Sequence, residues 1–310
     1  MVFARFSNSI YYPSALPLFE SLFRGWRIAR RPSVTAEASF LRKLSHRDAL
    51  GIEVYASEWA QSFVVRFPSS TTFHISISEK TIQIEASRDV TVDQVERLLT
   101  DQIAPRILAQ LGKLVIHASA VEIAGSAALL VGRSGLGKST LGASFHQDGE
   151  RLLGDDAIII SLRDGRWYAE AVYPSLRLRN DSCIQVFGSS NEKDYLESTW
   201  KCRLDDRLGV ATKPVPLASI FFLEDKPKRL LPRVRALKPS PACMRILEHS
   251  FWLDPNDRAL AAGRFLIAGQ VADHISSFTL DFARDYAILP EVRDAVTASM
   301  PNAIMGVDER

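Results

Sequence analysis

The chain has 310 residues, of which 46% are hydrophobic and 24% are charged, so it is long enough for one large domain or two ordinary ones with a full core. Its formal net charge of +2 predicts neither a nucleic-acid partner nor a membrane surface as partner. The three cysteines, Cys183, Cys202 and Cys243, are far apart and argue against a disulfide framework and a structural zinc site.

The N-terminal 23 residues contain apolar side chains, but Arg5, Ser7 and two prolines interrupt them. We therefore expect no signal peptide and no transmembrane helix. Together with the cysteine content, this pattern favours a cytoplasmic protein.

Apolar residues alternate from about residue 60 to residue 88 and predict a β meander. A helix follows, with Thr91 as its cap and Pro105 as the site of a kink. The pattern changes after Gly112, so we expect a small N-terminal α/β module over residues 1–112, for substrate recognition or an accessory role. The second predicted domain covers residues 113–310.

The second domain begins with predicted strands at residues 114–123 and 126–131, a glycine-rich turn, a helix at 138–147 and a strand at 157–162. A further strand is predicted at 215–223, and helices are predicted at 240–251, with a side-chain cap, at 255–265 and at 290–299. The order of strand, glycine-rich loop, helix and strand is typical of an α/β nucleotide-binding core.

The glycine-rich turn matches the P-loop pattern of nucleoside triphosphate sites. It reads Gly132-Arg133-Ser134-Gly135-Leu136-Gly137-Lys138-Ser139, followed by Thr140. The glycines bring backbone N–H groups close to phosphate oxygens at a helix N-terminus. Lys138 would contact the β and γ phosphates, and the Ser139 hydroxyl would bind Mg²⁺. The motif therefore predicts ATP, or another nucleoside triphosphate, with Mg²⁺.

Two further features flank this loop. Asp155 and Asp156 follow it at the edge of a strand, where a P-loop site needs a carboxylate beside the metal and a kinase needs one beside the acceptor hydroxyl. Neighbouring strand residues point to opposite faces, so both face the site only if the chain bends, and Gly154 is the predicted bend. His117 lies on the strand that leads towards the loop and is a further candidate site residue.

His117-Ala118, the loop and the Asp155-Asp156 pair, in this order, resemble the catalytic domain of the HPr kinase/phosphorylase family. The resemblance implies a P-loop core of the HPr kinase and phosphoenolpyruvate carboxykinase type. It further implies that Asp155 is the base towards a serine hydroxyl, that Asp156 holds metal and that His117 lies near the phosphates or a second metal. One carboxylate serving both roles stays open. Relatives are hexameric, which implies a homo-oligomer.

The family's later Arg-Gly-x-Gly-Ile segment has no clear counterpart. The chain instead resembles divergent HPr-kinase-like proteins through a Tyr-Pro-x-Leu-Arg-Leu segment that begins at Tyr173 and a later Lys-x-Arg. Some of these phosphorylate a C-terminal serine of a lasso-peptide precursor. The basic residues of these segments are candidate substrate or phosphate contacts: Arg177, Arg179, Lys201 and Arg203.

The leading hypothesis is an ATP- and Mg²⁺-dependent serine kinase that acts on a peptide or small protein. A nucleotide-dependent switch with slow hydrolysis is an alternative from another class. A switch needs only one magnesium carboxylate, so the pair of aspartates and His117 favour the kinase. A kinase for a small-molecule hydroxyl is a third hypothesis, because it needs the same base.

Overall fold

The computed structural model describes residues 23–30, 41–44, 51–57, 61–68, 70–173, 176–188, 202–204, 213–225 and 231–301. Contacts divide the chain into a first unit, Met1–Gly112 with Trp252–Ala261, and a second unit, Lys113–Phe251 with Ala262–Arg310. The sequence placed residues 252–261 in the second domain, whereas in the structure they pack with the first unit.

The first unit contains a six-stranded sheet in the order β1-β6-β5-β4-β3-β2. Its strands are β1 (Arg27–Arg30), β2 (Leu41–Lys43), β3 (Glu53–Ser57), β4 (Ser62–Phe67), β5 (Thr71–Ser76) and β6 (Thr81–Ala86). The predicted meander is confirmed as β4, β5 and β6. In β5, buried residues alternate with half-buried ones, as the period of two requires.

Two short helices follow the sheet, α1 (Val92–Leu98) and α2 (Ala104–Gln110). Thr91 is the N-cap of α1, as predicted, and forms a capping box in which the Gln94 backbone N–H donates to Thr91 Oγ1 at 3.2 Å. A π-helical turn over Leu99–Ile103 lies just before Pro105, where the sequence predicts a kink. Because proline has no N–H to close a regular turn, the helix widens just before it.

The second unit contains a nine-stranded sheet, a two-stranded sheet and five α-helices within the described residues. In chain order its elements are β7 (Leu114–Ile116), β8 (Ala118–Ile123), β9 (Ser126–Val131), α3 (Lys138–Gln147), β10 (Arg151–Gly154), β11 (Ile158–Arg163), β12 (Arg166–Ala171), β13 (Leu176–Leu178), α4 (Asn180–Phe187), β14 (Cys202–Leu204), β15 (Val215–Leu223), β16 (Arg233–Ala236), α5 (Pro239–Glu248), α6 (Arg258–His274, which begins in the first unit), β17 (Ser276–Asp281), a 3-10 turn (Tyr286–Ile288) and α7 (Leu289–Ser299).

The predicted strand over residues 114–123 is wrong as one element, because β7 and β8 separate at His117. β7 pairs with β11, whereas β8 pairs with β9 and β10. The His117 backbone N–H leaves the ladder and donates to the His249 carbonyl at 2.8 Å.

Three helices from the sequence analysis are present with changed bounds. The helix predicted at 240–251 is α5, which begins at Pro239. No described side chain caps it, so the predicted side-chain cap is wrong. The helix predicted at 255–265 is α6, which extends to His274, nine residues beyond the predicted end. The helix predicted at 290–299 is α7, which begins one residue earlier, at Leu289.

Four strands of the large sheet end at the same edge. β9 and β10 are each antiparallel to β8, while β15 is parallel to both β9 and β17. The carboxyl ends of β9, β10, β15 and β17 therefore meet at this edge, where open α/β sheets bind their ligands. The glycine-rich loop follows β9, and the Asp155-Asp156 pair follows β10.

Both faces of this sheet are covered by helices. Along β9, Ala127, Leu129 and Val131 contribute to one buried cluster, together with residues of α5 and α6. Ala128 and Leu130 contribute to a second cluster, together with residues of α3 and α7. A strand buried on both faces reads as a continuous apolar run, which explains the run seen at residues 127–131.

Cys183 and Cys243 are both buried. Among the helices that the structure describes, none combines the length and apolarity needed to cross a bilayer.

Candidate functional site

A cavity of about 330 Å³ opens in the second unit at the edge where the carboxyl ends of the four strands meet. Its lining residues are His117, Ser134, Gly135, Gly137, Lys138, Ser139, Thr140, Asp156, Arg177, Leu178, Arg179, Asp181, Ser182, Phe282, Arg284, Asp285, Tyr286 and Leu289. The cavity thus brings together the glycine-rich loop, one of the paired aspartates, His117 and two of the predicted basic residues.

The glycine-rich loop needs glycine for two different physical reasons. Gly135 and Gly137 have φ angles of 86° and 88°, where a side chain would be strained. A Cβ on Gly132 would lie 3.3 Å from Leu223 Cβ, so that residue is limited by space instead. Gly137 is the N-cap residue that precedes α3, and no described side chain caps the helix. Its first N–H groups are therefore suitable for an anion.

The Lys138 side chain lies against the backbone of the glycine-rich loop. Its side chain is only 5% exposed, and its Nζ donates to the Arg133 carbonyl at 3.1 Å. The Arg133 guanidinium points elsewhere, to Asp225 at 3.3 Å. Three of the predicted loop residues, Gly132, Arg133 and Leu136, do not line the cavity, and their role is to maintain the conformation of the loop.

The two paired aspartates differ in position. Asp156 is half-buried and lines the cavity, whereas Asp155 is 4% exposed and is not part of the lining. The bend lies at Asp156, whose φ of 69° is left-handed, and not at Gly154 as predicted. Gly154 is needed for space, because a Cβ there would lie 2.5 Å from Ala171 Cβ.

His117 supports this bend. Its Nδ1 lies 2.8 Å from the Asp156 carbonyl oxygen, and its ring meets the Phe251 ring edge-on at 6.1 Å between centroids. A carbonyl oxygen only accepts, so Nδ1 carries a proton and donates it to the Asp156 carbonyl. His117 therefore holds the left-handed turn that presents the Asp156 side chain.

The basic residues beyond the core divide into two groups. Arg177, which is 7% exposed, and the exposed Arg179 both line the cavity. In the two-stranded sheet Arg177 is paired in register with Arg203, whose side chain lies outside the described part of the structure. Lys201 also lies outside it.

A second wall of the cavity was missed by the sequence analysis. It consists of Asp181 and Ser182 from the first turn of α4 and of residues that follow β17, notably Phe282, Arg284 and Tyr286. The signal that could have found the latter is the alternation of Phe278, Leu280 and Phe282 at the end of β17, a further parallel strand ending at the ligand-binding edge.

His249 directly follows α5, and its ring interacts electrostatically with Lys138 of the loop. Burial lowers the pKa of His249 below its usual 6.5, and among the neighbouring charges Lys138 and Arg245 also lower it while Glu248 and Asp225 raise it. Burial and the Lys138 ammonium thus both favour the neutral form of the ring.

No protein-family model matches the chain. A stretch of 120 residues is 30% identical to an HPr kinase/phosphorylase of Streptococcus mutans serotype c, which covers 34% of this chain and 39% of that protein. The HPr kinase/phosphorylase of Mycoplasmopsis pulmonis is 36% identical over 61 residues, or 20% of each chain.

Among solved structures, the Hpr(Ser) kinase/phosphatase from Coxiella burnetii matches 51% of this chain and 91% of its own, with 16% identity and a TM-score of 0.25. The chain spans less than two fifths of the length of the curated relatives, at 39% and 20%. Over 34% of its residues the chain is thus similar to an HPr kinase/phosphorylase, a protein of the family that its motifs resemble.

Proposed function

We propose that this chain is an ATP- and Mg²⁺-dependent serine kinase that transfers the γ-phosphoryl group to a hydroxyl of a peptide or small protein. The observation that carries the proposal is one cavity in which Lys138 and Ser139 of the glycine-rich loop meet the carboxylate-bearing Asp156. A phosphate cradle beside a carboxylate is what phosphoryl transfer to a hydroxyl requires.

The phosphates would bind to the N–H groups of residues 134–139 and to Lys138. In the structure the ammonium group of Lys138 donates to the Arg133 carbonyl, a neutral acceptor. Phosphate oxygens are charged acceptors and form stronger hydrogen bonds, so Lys138 exchanges the carbonyl for the β and γ phosphates when the triphosphate binds.

The residues present fit a magnesium ion. The Ser139 hydroxyl and the Asp156 carboxylate both belong to the cavity lining. Mg²⁺ prefers oxygen ligands and usually takes one or two protein groups together with phosphates and waters. When bound, the ion neutralises charge on the phosphoryl oxygens.

We propose Asp155 as the base that accepts the proton of the acceptor hydroxyl, as the family resemblance implies. Asp156 is the alternative candidate. Asp155 is buried at the end of β10, whereas Asp156 lies on the cavity wall. If Asp156 performs both tasks, Asp155 supports the turn and does not take the proton. The two assignments predict different responses to added metal.

For the acceptor, we propose a serine whose surroundings carry negative charge. Arg177 and Arg179 both line the cavity, and their guanidinium groups can bind a carboxylate or a transferred phosphoryl group. A peptide ending in serine, as in a lasso-peptide precursor, offers such a carboxylate. HPr, the substrate in the relatives' names, is the other acceptor to test.

The experiment follows label from γ-³²P-ATP into HPr and into synthetic peptides with serine inside or at the end, using the full chain with Mg²⁺. We expect Lys138→Ala to abolish transfer and Asp155→Asn to lower kcat about a hundredfold or more at every Mg²⁺ concentration. Asp156→Asn should instead be partly restored by more Mg²⁺ or Mn²⁺. The matched control, Lys113→Ala at an exposed position just before β7, should keep the wild-type rate.

The outcomes separate the alternatives. If Asp155→Asn transfers at a near-normal rate, the base assignment is wrong and Asp156 takes that role. If the wild type hydrolyses ATP and labels no acceptor, it is a nucleotide-dependent switch. If only small hydroxyl compounds accept label, the acceptor is not a peptide.

A further inference from the structure

The cavity has two walls on opposite sides of the glycine-rich loop. In the sheet order β10-β8-β9-β15, His117 and Asp156 lie beside β8 and β10, on one side of β9. Phe282 and the residues after it follow β17, which pairs with β15 on the other side of β9. A transferred phosphoryl group must lie on the Asp156 side, so the opposite end of the triphosphate points to the wall after β17.

Hydrogen bonds connect this second wall to the start of α3. Thr140 Oγ1 donates to Ser182 Oγ at 3.1 Å, Ser182 Oγ lies 3.1 Å from Tyr286 Oη, and Tyr286 Oη donates to Asp181 Oδ2 at 3.2 Å. Because Tyr286 has one proton, which goes to Asp181, it accepts from Ser182. The series of hydroxyls therefore runs in one direction and ends on a carboxylate at the cavity wall.

Arg284 provides a flat surface on the same wall. Its guanidinium carbon lies 4.2 Å from the centre of the Phe282 ring. Its nitrogens donate to the Glu224 carbonyl at 2.6 Å and to the Phe282 carbonyl at 3.2 Å. Phe282 is buried and Arg284 is exposed, so the protein supports one face of the guanidinium plane. Such planes stack on nucleic-acid bases.

Two carboxylates on this wall favour a sugar over a phosphate. Asp181 and Asp285 both line it, and a carboxylate repels phosphate but accepts from hydroxyls. Asp181 keeps acceptor capacity after its bond from Tyr286, because an ionised carboxylate has about four lone-pair sites. We propose, on the basis of the kinase function above, that this wall is the nucleoside subsite: Asp181 and Tyr286 bind the ribose hydroxyls, and the Arg284 plane stacks on the base.

The test compares two ligands of the full chain by calorimetry in the presence of Mg²⁺: ATP and inorganic tripolyphosphate, which has the phosphates but no nucleoside. We expect Tyr286→Phe and Asp181→Asn to weaken ATP binding about fivefold, the usual effect of one lost hydrogen bond. Arg284→Gln should weaken it about tenfold through lost stacking. Binding of tripolyphosphate should be unchanged in all three variants.

A second comparison uses 2′-deoxy-ATP and 3′-deoxy-ATP. At least one of them should bind the wild type about fivefold more weakly than ATP, and this difference should vanish in Asp181→Asn. Matched controls are Tyr168→Phe and Arg163→Gln, a tyrosine and an arginine that stack on each other outside the cavity, and both should bind like the wild type.

Unchanged ATP affinity in the three wall variants, or equal weakening for tripolyphosphate, would overturn the nucleoside subsite while leaving the kinase proposal intact. Unchanged ATP affinity with a raised KM for the acceptor peptide would assign the wall to the acceptor instead. If the wild type bound neither ligand, both proposals would fail.

Discussion

Gly142, in the middle of α3, shows how closely the loop helix packs on the sheet. A Cβ at this position would lie 2.5 Å from Ser119 Oγ on β8. We expect Gly142→Ala to lower the free energy of unfolding by about 1–3 kcal/mol through overpacking, measured by urea denaturation.

Combining Gly142→Ala with Ser119→Ala tests whether overpacking causes the loss of stability. Ser119 Oγ is buried and has no hydrogen-bond partner among the described residues, so Ser119→Ala alone should cost little and should rescue Gly142→Ala. Gly263→Ala is the matched control, since a Cβ added to this helical glycine would meet no atom within 4 Å, and it should gain up to about 1 kcal/mol. A double variant as unstable as Gly142→Ala would contradict this explanation.

His249 predicts a pH dependence of stability. Burial lowers the pKa of His249 in the folded chain below the usual 6.5, so on acidification the unfolded chain takes up the proton first. The contribution to stability is therefore complete above about pH 7 and is lost as the pH falls through 6.5 towards the folded pKa.

The measurement is urea denaturation at pH 7.5 and at lower pH values. We expect His249→Gln to lose less stability on acidification than the wild type. The exposed His274→Gln is the control and should follow the wild type. Equal pH dependence for His249→Gln and the wild type would show that His249 does not titrate in this way.

The site residues fall into those that a local motif reveals and those that only the tertiary structure brings in. Lys138 and Ser139 were predictable, because loop, helix start and charge are adjacent in sequence. Asp181 and Tyr286 are 105 residues apart and meet through a hydrogen bond, which periodicity and spacing do not indicate.

At the scale of elements, the end of β10 positions the paired aspartates against the end of β12. A Cβ on Gly154 would lie 2.5 Å from Ala171 Cβ and 3.2 Å from the Tyr173 carbonyl oxygen. We expect Gly154→Ala to push the two strand ends apart, and so to lower kcat about tenfold or more, because misplaced catalytic groups are costly. The ATP affinity should change less, since the glycine-rich loop follows a different strand.

Steady-state transfer kinetics and calorimetry of ATP binding check this prediction together. Ala171→Gly should partly restore kcat in the double variant, because it removes the nearer of the two contacts. A Gly154→Ala variant with wild-type kcat would show that the strand ends adapt without moving the aspartates.

Elements with a clear period were predictable from the sequence, and elements decided by distant partners were not. The meander, β9, α3 and β15 follow from alternation or from apolar runs. The break between β7 and β8 does not, because it depends on His117 bonding to the His249 carbonyl far along the chain. The bend at Asp156 likewise depends on His117 and not on the preceding glycine.

At the scale of the whole molecule, the first unit is built from two separate stretches of chain. Trp252–Ala261 belongs to it, and the Asp254 backbone N–H donates to Gln110 Oε1 at 3.2 Å. Leu253 in this stretch is only 1% exposed. Sequence patterns did not reveal this return, since a boundary after Gly112 shows where the first unit pauses and not where it resumes.

We expect a fragment of residues 113–310 to be less stable than the full chain. It would expose Leu253, whose burial contributes about 1.5–3 kcal/mol. Thermal unfolding and binding of a hydrophobic dye measure this effect, and a Leu253→Ser variant of the fragment should reduce dye binding. A fragment that melts at the same temperature as the full chain and binds no dye would contradict the division into units.

The central claim is that the cavity at the carboxyl edge of the sheet transfers phosphate to a hydroxyl. Its most direct test incubates the full chain with γ-³²P-ATP, Mg²⁺ and a serine peptide, and then locates the label by phosphoamino-acid analysis and mass spectrometry. We expect label on serine with the wild type and none with Lys138→Ala. Label released only as inorganic phosphate by the wild type, or phosphoserine formed equally by Lys138→Ala, would contradict it.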